Sequence, residues 1–276
     1  MWGMRSMRAL VNGVTLNYEI FGGSGPWVVL SHSLMCDLTM WGTQIDALKS
    51  DYRVLAFDTR GHGASEAPEG AYSLDQLAAD AKALLDSLEI KDPHWVGLSM
   101  GGMIGMTYAI NFPNSFASLV LCDTTSRMPL EAQPTWQERI EIAKQEGMKA
   151  LVSGTLERWF TDSFRSQPRP ELEFVSSLIE KTPVTGYVGC CHAIPKINCT
   201  DRLAEIQVPI KIIVGDSDIG TPVSMSQEIQ AAAPGSSLTI IEGASHLSNL
   251  EQPQQFNKAL LDFLKENLVR KSKFVE

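Results

Sequence analysis

Apolar residues along the chain fall into two alternating rhythms. Val14 to Phe21 alternates apolar and polar positions and stops at Gly22-Gly23, which predicts an early hairpin strand. Short apolar runs at Trp27-Val28-Val29-Leu30, Arg53 to Phe57, His94 to Gly97, Ser118 to Cys122, Pro209 to Val214 and Leu238 to Ile241 predict further strands. Between them the spacing changes to three and four. Leu74, Leu77, Ala78, Ala81, Leu84, Leu85 and Leu88 make one face of a helix, and Ser73 is placed to cap its start. Met103 to Phe112 predicts another helix, stopped near Pro113. A last helix begins near Pro253, with Phe256, Leu260, Leu261 and Leu264 on one face. Strands alternating with amphipathic helices predict an α/β fold, a mostly parallel central sheet covered by helices on both faces.

The rhythm breaks between about Thr124 and Pro195. Helical patterns at Trp136 to Met148 and Leu172 to Lys181, with Pro-containing turns at Gln167-Pro168-Arg169-Pro170, predict an inserted helical cap. The expected layout is a core from 1 to 123, a cap from 124 to 196, and the rest of the core from 197 to 276. A length of 276 residues, between one and two common domain sizes, suits one core with an insertion.

Charge narrows the partners. The chain has 23 Lys+Arg against 32 Asp+Glu, a net charge of −9, which excludes a general basic footprint for nucleic acid. The locally basic tail, with Lys265, Arg270, Lys271 and Lys273, reads as a last helix whose cations suit its C-terminal dipole. The 5 cysteines are odd in number, Cys190 and Cys191 are adjacent, and no CxxC occurs. That pattern argues for reduced thiols in a cytoplasmic protein, against a disulfide framework or a zinc site. Met1 to Arg5 is followed by no apolar signal region, and no run reaches the roughly 18 apolar residues of a membrane span. With no Walker pattern and no GxGxxG after a strand, no cofactor or metal is expected.

The candidate chemistry centres on Gly97-Leu98-Ser99-Met100-Gly101-Gly102, which fits G-x-S-x-G between a predicted strand and a predicted helix. A strand turning sharply into a helix forces the serine into strained angles, and side chains at the flanking positions would clash. Serine needs a base, and the chain order of such sites is nucleophile, acid, histidine. Of the histidines after Ser99, His246 follows a strand end, whereas His192 lies in the predicted cap, so His246 is preferred. The acid belongs after the Ile210 to Val214 strand, in Gly215-Asp216-Ser217-Asp218. Asp218, deeper in the loop, is preferred over Asp216, and Asp123 after Cys122 is a further alternative. The backbone N–H groups of Met100 and of Leu34, in Ser31-His32-Ser33-Leu34, are the candidate oxyanion hole. His32 is expected to prop that loop, and Asp58 to Ser65, including Arg60 and His62, to be a structural loop.

These segments resemble the α/β-hydrolase superfamily from about Leu10 to Leu268, and within it the 3-oxoadipate enol-lactonases. Asp37-Leu38-Thr39-Met40-Trp41, Ala244-Ser245-His246-Leu247-Ser248-Asn249 and Arg158-Trp159-Phe160-Thr161 add to the likeness. The resemblance implies a triad of Ser99, Asp218 and His246. His32-Ser33 stands where most α/β-hydrolases carry His-Gly, and the lactonase pattern also carries Ser there. Met100 is shared with cofactor-free haloperoxidase and perhydrolase relatives, and Gly189-Cys190-Cys191-His192-Ala193 is only partly lactonase-like. The expected activity is hydrolysis of a small carboxylic ester or lactone through an acyl-enzyme on Ser99. Alternatives on the same triad are a perhydrolase or a C–C bond hydrolase, and a non-catalytic ligand receptor is a third. An enol-lactone carrying a free carboxylate calls for a local cation. Arg139 with Trp136, Trp159 and His192 is the expected pocket set, among cap cations that include Arg127, Arg158, Arg165, Arg169 and Lys196.

Overall fold

The computed structural model describes residues 6–273, with side chains described to residue 267. The Met1 to Arg5 stretch and the side chains of Arg270, Lys271 and Lys273 lie outside the described residues. The strands are β1 (Met7–Val11), β2 (Val14–Phe21), β3 (Trp27–Ser31), β4 (Arg53–Phe57), β5 (His94–Leu98), β6 (Ser118–Cys122), β7 (Ile210–Gly215) and β8 (Ser237–Ile241). They form one 8-stranded sheet in the order β1-β2-β4-β3-β5-β6-β7-β8. β1 and β2 run antiparallel to each other and β2 to β4; all other neighbours are parallel.

The helices are α1 (Gly42–Leu48), α2 (Leu74–Ser87), α3 (Met100–Asn111), α4 (Gln133–Glu146), α5 (Val152–Trp159), α6 (Asp162–Arg165), α7 (Pro170–Lys181), α8 (Val184–Ala193), α9 (Val223–Ala232), α10 (Ser248–Glu251) and α11 (Pro253–Lys273). α2 forms where its apolar spacing places it: Leu74, Leu77, Ala78, Ala81, Leu84 and Leu85 are buried, and the Ser73 side chain accepts from the Gln76 N–H. Five helices, α4 to α8, occupy the connection between β6 and β7, and among the described residues that connection holds no strand. An isolated antiparallel bridge between Arg127 and Asn198 ties its two ends together.

Two details extend the sequence expectations. The early hairpin has its partner in β1, joined to β2 through Asn12 and Gly13 at φ 47° and 73°. Asn-Gly with two positive φ values is the turn that matches strand twist in a two-residue hairpin. The strand expected at Leu238 to Ile241 is β8, at the sheet edge, with Ile240 42% exposed. Among the described residues no helix is long and apolar enough to cross a membrane.

Candidate active site

The sheet delivers its chemistry through the loops at the C-terminal ends of parallel strands, where ligand sites of such sheets gather. Ser99 leaves β5, Asp123 leaves β6, Asp218 follows β7 and His246 follows β8. Ser99 sits at φ 53°, ψ −113°, a backbone state that costs a non-glycine residue about 1–3 kcal/mol. Its surroundings enforce that state. The Ser99 N–H donates to Cys122 O at 2.8 Å, and the Ser99 carbonyl accepts from Thr124 Oγ1 at 2.7 Å. The flanking glycines have steric reasons: a Cβ on Gly97 would lie 2.2 Å from Gly101 O, and one on Gly101 would lie 2.0 Å from Ser31 O.

The elbow aims the Ser99 hydroxyl at His246, with Oγ 2.9 Å from Nε2. On the other side of the ring, Nδ1 is 2.8 Å from Asp218 Oδ2. Asp218 is itself fixed, accepting from the N–H groups of Gly220 at 2.7 Å and Thr221 at 3.0 Å and from Thr221 Oγ1 at 2.8 Å. All three members are buried. Burial opposes charge on both partners, but their attraction wins. Burial lowers the imidazole, but the charge and hydrogen bond of Asp218, together with the Asp123 charge, leave it above the ordinary histidine value. Asp218 is raised by burial but pulled below the ordinary carboxylate value by His246 and the Thr221 donors.

The other candidate acids are placed elsewhere. Asp216 is exposed and holds a turn, accepting from the Gly243 N–H at 3.0 Å and Ser217 Oγ at 2.9 Å. Asp123 is buried, at φ 45°, and accepts from the Gly215 N–H at 2.8 Å and bonds Ser248 Oγ at 2.5 Å. It thereby ties the acid loop to the histidine loop. Burial, then the Asp218 charge, push its carboxyl well above the ordinary range.

Met100 is the first residue of α3, so its N–H has no acceptor within the helix and lies at the positive helix end. In the facing loop the neighbouring amides are in use. The Ser33 N–H points to Met40 Sδ, the Met35 N–H donates to His62 Nε2 at 3.1 Å, and the Cys36 N–H donates to Ser33 O. Among the described hydrogen bonds none uses the Leu34 N–H. His32 props this loop as expected: Nδ1 donates to Ser33 O at 2.7 Å and Nε2 accepts from the Thr59 N–H at 2.9 Å. The two partners fix a neutral tautomer. Arg60 turns away to Asp80, at 2.6 and 2.9 Å.

Ser99 and His246 open into a cavity of about 200 Å³. Leu34, Met103, Trp136, Trp159, Tyr187 and Ile219 contribute apolar wall, and Trp159 packs on the His246 ring with centroids 5.9 Å apart. Arg139 and Arg158 are its cations, and among the described residues neither has a carboxylate within salt-bridge distance. Burial, then Arg139, lower the Arg158 guanidinium to about 10. Trp136, Trp159 and Arg139 thus line the cavity, but His192 does not. It lies five residues after Tyr187 on α8, about 140° around the helix, so it points away from the wall that Tyr187 forms. Thr221 and Tyr187 lay outside the sequence reading. Thr221 carries a signal, because Asp followed three residues later by Thr suits a turn closed by side-chain acceptors.

A family model described as the alpha/beta hydrolase fold matches residues 26–253. The chain is 38% identical over 248 residues to 3-oxoadipate enol-lactonase 2 of Acinetobacter baylyi, covering 90% of this chain and 92% of that protein. Among solved structures it is similar to the enol-lactonase from Burkholderia xenovorans, with TM-score 0.90 and 37% identity over 94% of this chain and 100% of that one. It is also similar to a hydrolase from Pseudomonas aeruginosa, with TM-score 0.90 and 34% identity over 95% of this chain and 98% of that one. A strained serine between β5 and α3, a parallel sheet extended by an antiparallel hairpin, and relatives matched over nearly their full length agree: the chain belongs to the α/β-hydrolase fold family.

Proposed function

We propose that the protein hydrolyses small carboxylic esters or lactones through an acyl-enzyme on Ser99. The observation that carries the reading is the unbroken contact from Ser99 Oγ through His246 to Asp218, opening into a cavity with two guanidiniums. Ser99 Oγ attacks the carbonyl carbon while His246 Nε2 takes its proton. The oxygen that gains negative charge is received by the Met100 and Leu34 N–H groups. The C–O bond to the leaving oxygen then breaks, and Nε2 returns the proton to that oxygen. In a lactone the leaving oxygen stays tethered to the acyl group. A water next gives a proton to Nε2 and its oxygen attacks the acyl carbon; Ser99 Oγ leaves and recovers the proton. Asp218 stays ionised throughout, holding Nδ1–H and stabilising the imidazolium.

The helices between β6 and β7 act in this reading as a cap that selects the substrate. Arg139 and Arg158 favour one bearing a carboxylate, and the enol-lactonase relatives direct the choice to a lactone of that kind. The test is a substrate panel: an enol-lactone with a free carboxylate, a neutral nitrophenyl ester, the ester with hydrogen peroxide, and a vinylogous diketone. Turnover led by the enol-lactone, lost with Ser99→Ala together with fluorophosphonate labelling, is the expected result. Full labelling of Ser99→Ala refutes the acyl-enzyme. Preferred turnover of the peroxide or diketone arm refutes the substrate class, and turnover of none of the panel points to a binding protein.

A further inference from the structure

The histidine loop is fastened to the end of α5 by hydrogen bonds that the reaction itself does not use. The Leu247 N–H donates to Trp159 O at 3.2 Å, and Ser245 Oγ lies 3.1 Å from Arg158 O and 3.2 Å from Ser217 O. Glu251, only 5% exposed, closes the link. Its Oε2 accepts from the Ser245 N–H at 2.8 Å, and its Oε1 accepts from the Thr161 N–H at 3.0 Å and from Thr161 Oγ1. One carboxylate therefore holds the residue before His246 and the segment that follows Arg158. Arg158 lines the cavity, and Trp159, beside it, lies against the imidazole.

We propose that Glu251 is a positioning residue that keeps the anion-holding Arg158 and the His246 base in one register, so that a substrate carboxylate seated on Arg158 brings the reacting carbonyl to Ser99. The proposal rests on the anionic-substrate reading above and adds how the cap transmits it. Two N–H donors and a hydroxyl converge on Glu251, so a neutral amide in its place has one acceptor oxygen for two sites and turns an NH₂ on an N–H donor. The α5 end and the histidine loop then separate slightly. Arg158 still takes the anion, but the carbonyl sits off line, and a misplacement of about 1 Å costs up to about 100-fold in rate. The signature is loss in kcat with KM kept, confined to substrates that use Arg158.

The test compares Glu251→Gln, Arg158→Gln and the double variant on a matched pair of nitrophenyl esters, one ending in a carboxylate and one in its methyl ester. Glu251→Gln is expected to lower kcat on the carboxylate ester about 10- to 100-fold, and kcat on the neutral ester by less than about threefold. Arg158→Gln raises KM for the carboxylate ester. In that background Glu251→Gln costs only its neutral-ester amount, so the two changes are not additive. Thr161→Val, which keeps shape and loses the hydroxyl donor, moves the same ratio in the same direction and guards against misfolding. Hydrogen exchange in Glu251→Gln rises together at residues 158–161 and 245–247. Equal losses on both esters, full additivity, or exchange that rises in one segment only overturns the proposal. A wild type whose Ser99 neither labels nor turns over either ester overturns the functional reading instead, and the exchange measurement still decides the link.

Discussion

Replacing Asp218 by Asn tests the base more sharply than removing the serine. Asp218 Oδ1 takes two backbone N–H groups, at 2.7 and 3.0 Å, so an amide there must keep its oxygen on that side. Its NH₂ then faces Thr221 Oγ1 and His246 Nδ1, each 2.8 Å away in the native site. An NH₂ donates to Nδ1, which leaves the ring proton on Nε2, facing Ser99 Oγ. In that tautomer the ring cannot take the serine proton. The expected loss in kcat/KM is about 10⁴-fold, or about 5.4 kcal/mol in the barrier at 1.36 kcal/mol per tenfold. The pH profile moves too. In the native protein Asp218 holds the His246 pKa above its ordinary value, so kcat/KM rises with pH through that raised value. Without the carboxylate the acid limb of the residual activity shifts to lower pH. The assay is kcat/KM on an activated ester from pH 5 to pH 10, with the rate of fluorophosphonate inactivation alongside. Activity within about tenfold of wild type refutes the assignment. The same experiment on Asp123→Asn, expected to retain most activity because that carboxyl bonds Gly215 and Ser248, would then show the collapse instead.

Three further substitutions probe the frame. Glu19 is 6% exposed, lines a second cavity of about 330 Å³ with Asp37, Asp58 and Lys181, and its carboxyl has no hydrogen-bond partner among the described residues. Burial first, then Asp58 and Asp37, raise its pKa above 4.5, so the folded chain holds a proton that the unfolded chain releases. Stability therefore falls as pH climbs from the unfolded to the folded value, and Glu19→Gln should gain about 1 kcal/mol at pH 7, with no gain at pH 3; a loss at pH 7 in urea titration refutes this. Gly101→Ala places a Cβ 2.0 Å from Ser31 O, a backbone atom that cannot swing aside, and should destabilise by at least about 1–3 kcal/mol and abolish labelling of Ser99. A folded, labelling variant would contradict the steric account of the elbow. Asp80→Ala strands the buried Arg60 guanidinium and should cost about 3–5 kcal/mol, read as a Tm lower by about 10 °C, whereas an unchanged Tm would mean that water already solvates the pair.

Much of this was legible because the informative signals are local. The α2 face and its Ser73 cap follow from a spacing of three and four, and the elbow follows from glycines that only a strand-to-helix turn requires. β1 was missed although Asn12-Gly13 marks its turn, because Leu10, 76% exposed, puts an apolar residue on the outward side of the Met7 to Val11 alternation. α8 was missed because it is buried on most sides: Tyr187, Cys190, Cys191 and Ala193 are all covered, which erases the amphipathic period. α5 and α9 are short, and α5 is the element whose end meets His246. Cavity lining depends on how the helices between β6 and β7 pack across the sheet, and no local pattern encodes that. The His192 expectation failed on helix phase, a rotation of about 140° that one residue inserted or removed would have changed.

The acidic balance and the cationic cavity are two sides of one arrangement. Several described cations are matched. Lys49, Lys82, Lys258, Arg165 and Arg202 pair with acids three or four residues away, and Arg127 pairs across to Asp201. Such exposed pairs contribute little stability, but they cancel charge locally. Arg60 is cancelled in the interior by Asp80. Arg139 and Arg158 have no acid partner among the described residues, and burial first, then the Arg139 charge, lowers the Arg158 pKa. In the proposed reading an entering carboxylate gains two guanidinium partners where water screens poorly, which offsets the long-range repulsion from a chain of charge −9. On that reading, selectivity for an anion in an acidic protein needs no basic surface. It needs two cavity arginines without an acid partner among the described residues, one of them, Arg158, next to the segment that Glu251 ties to the histidine loop.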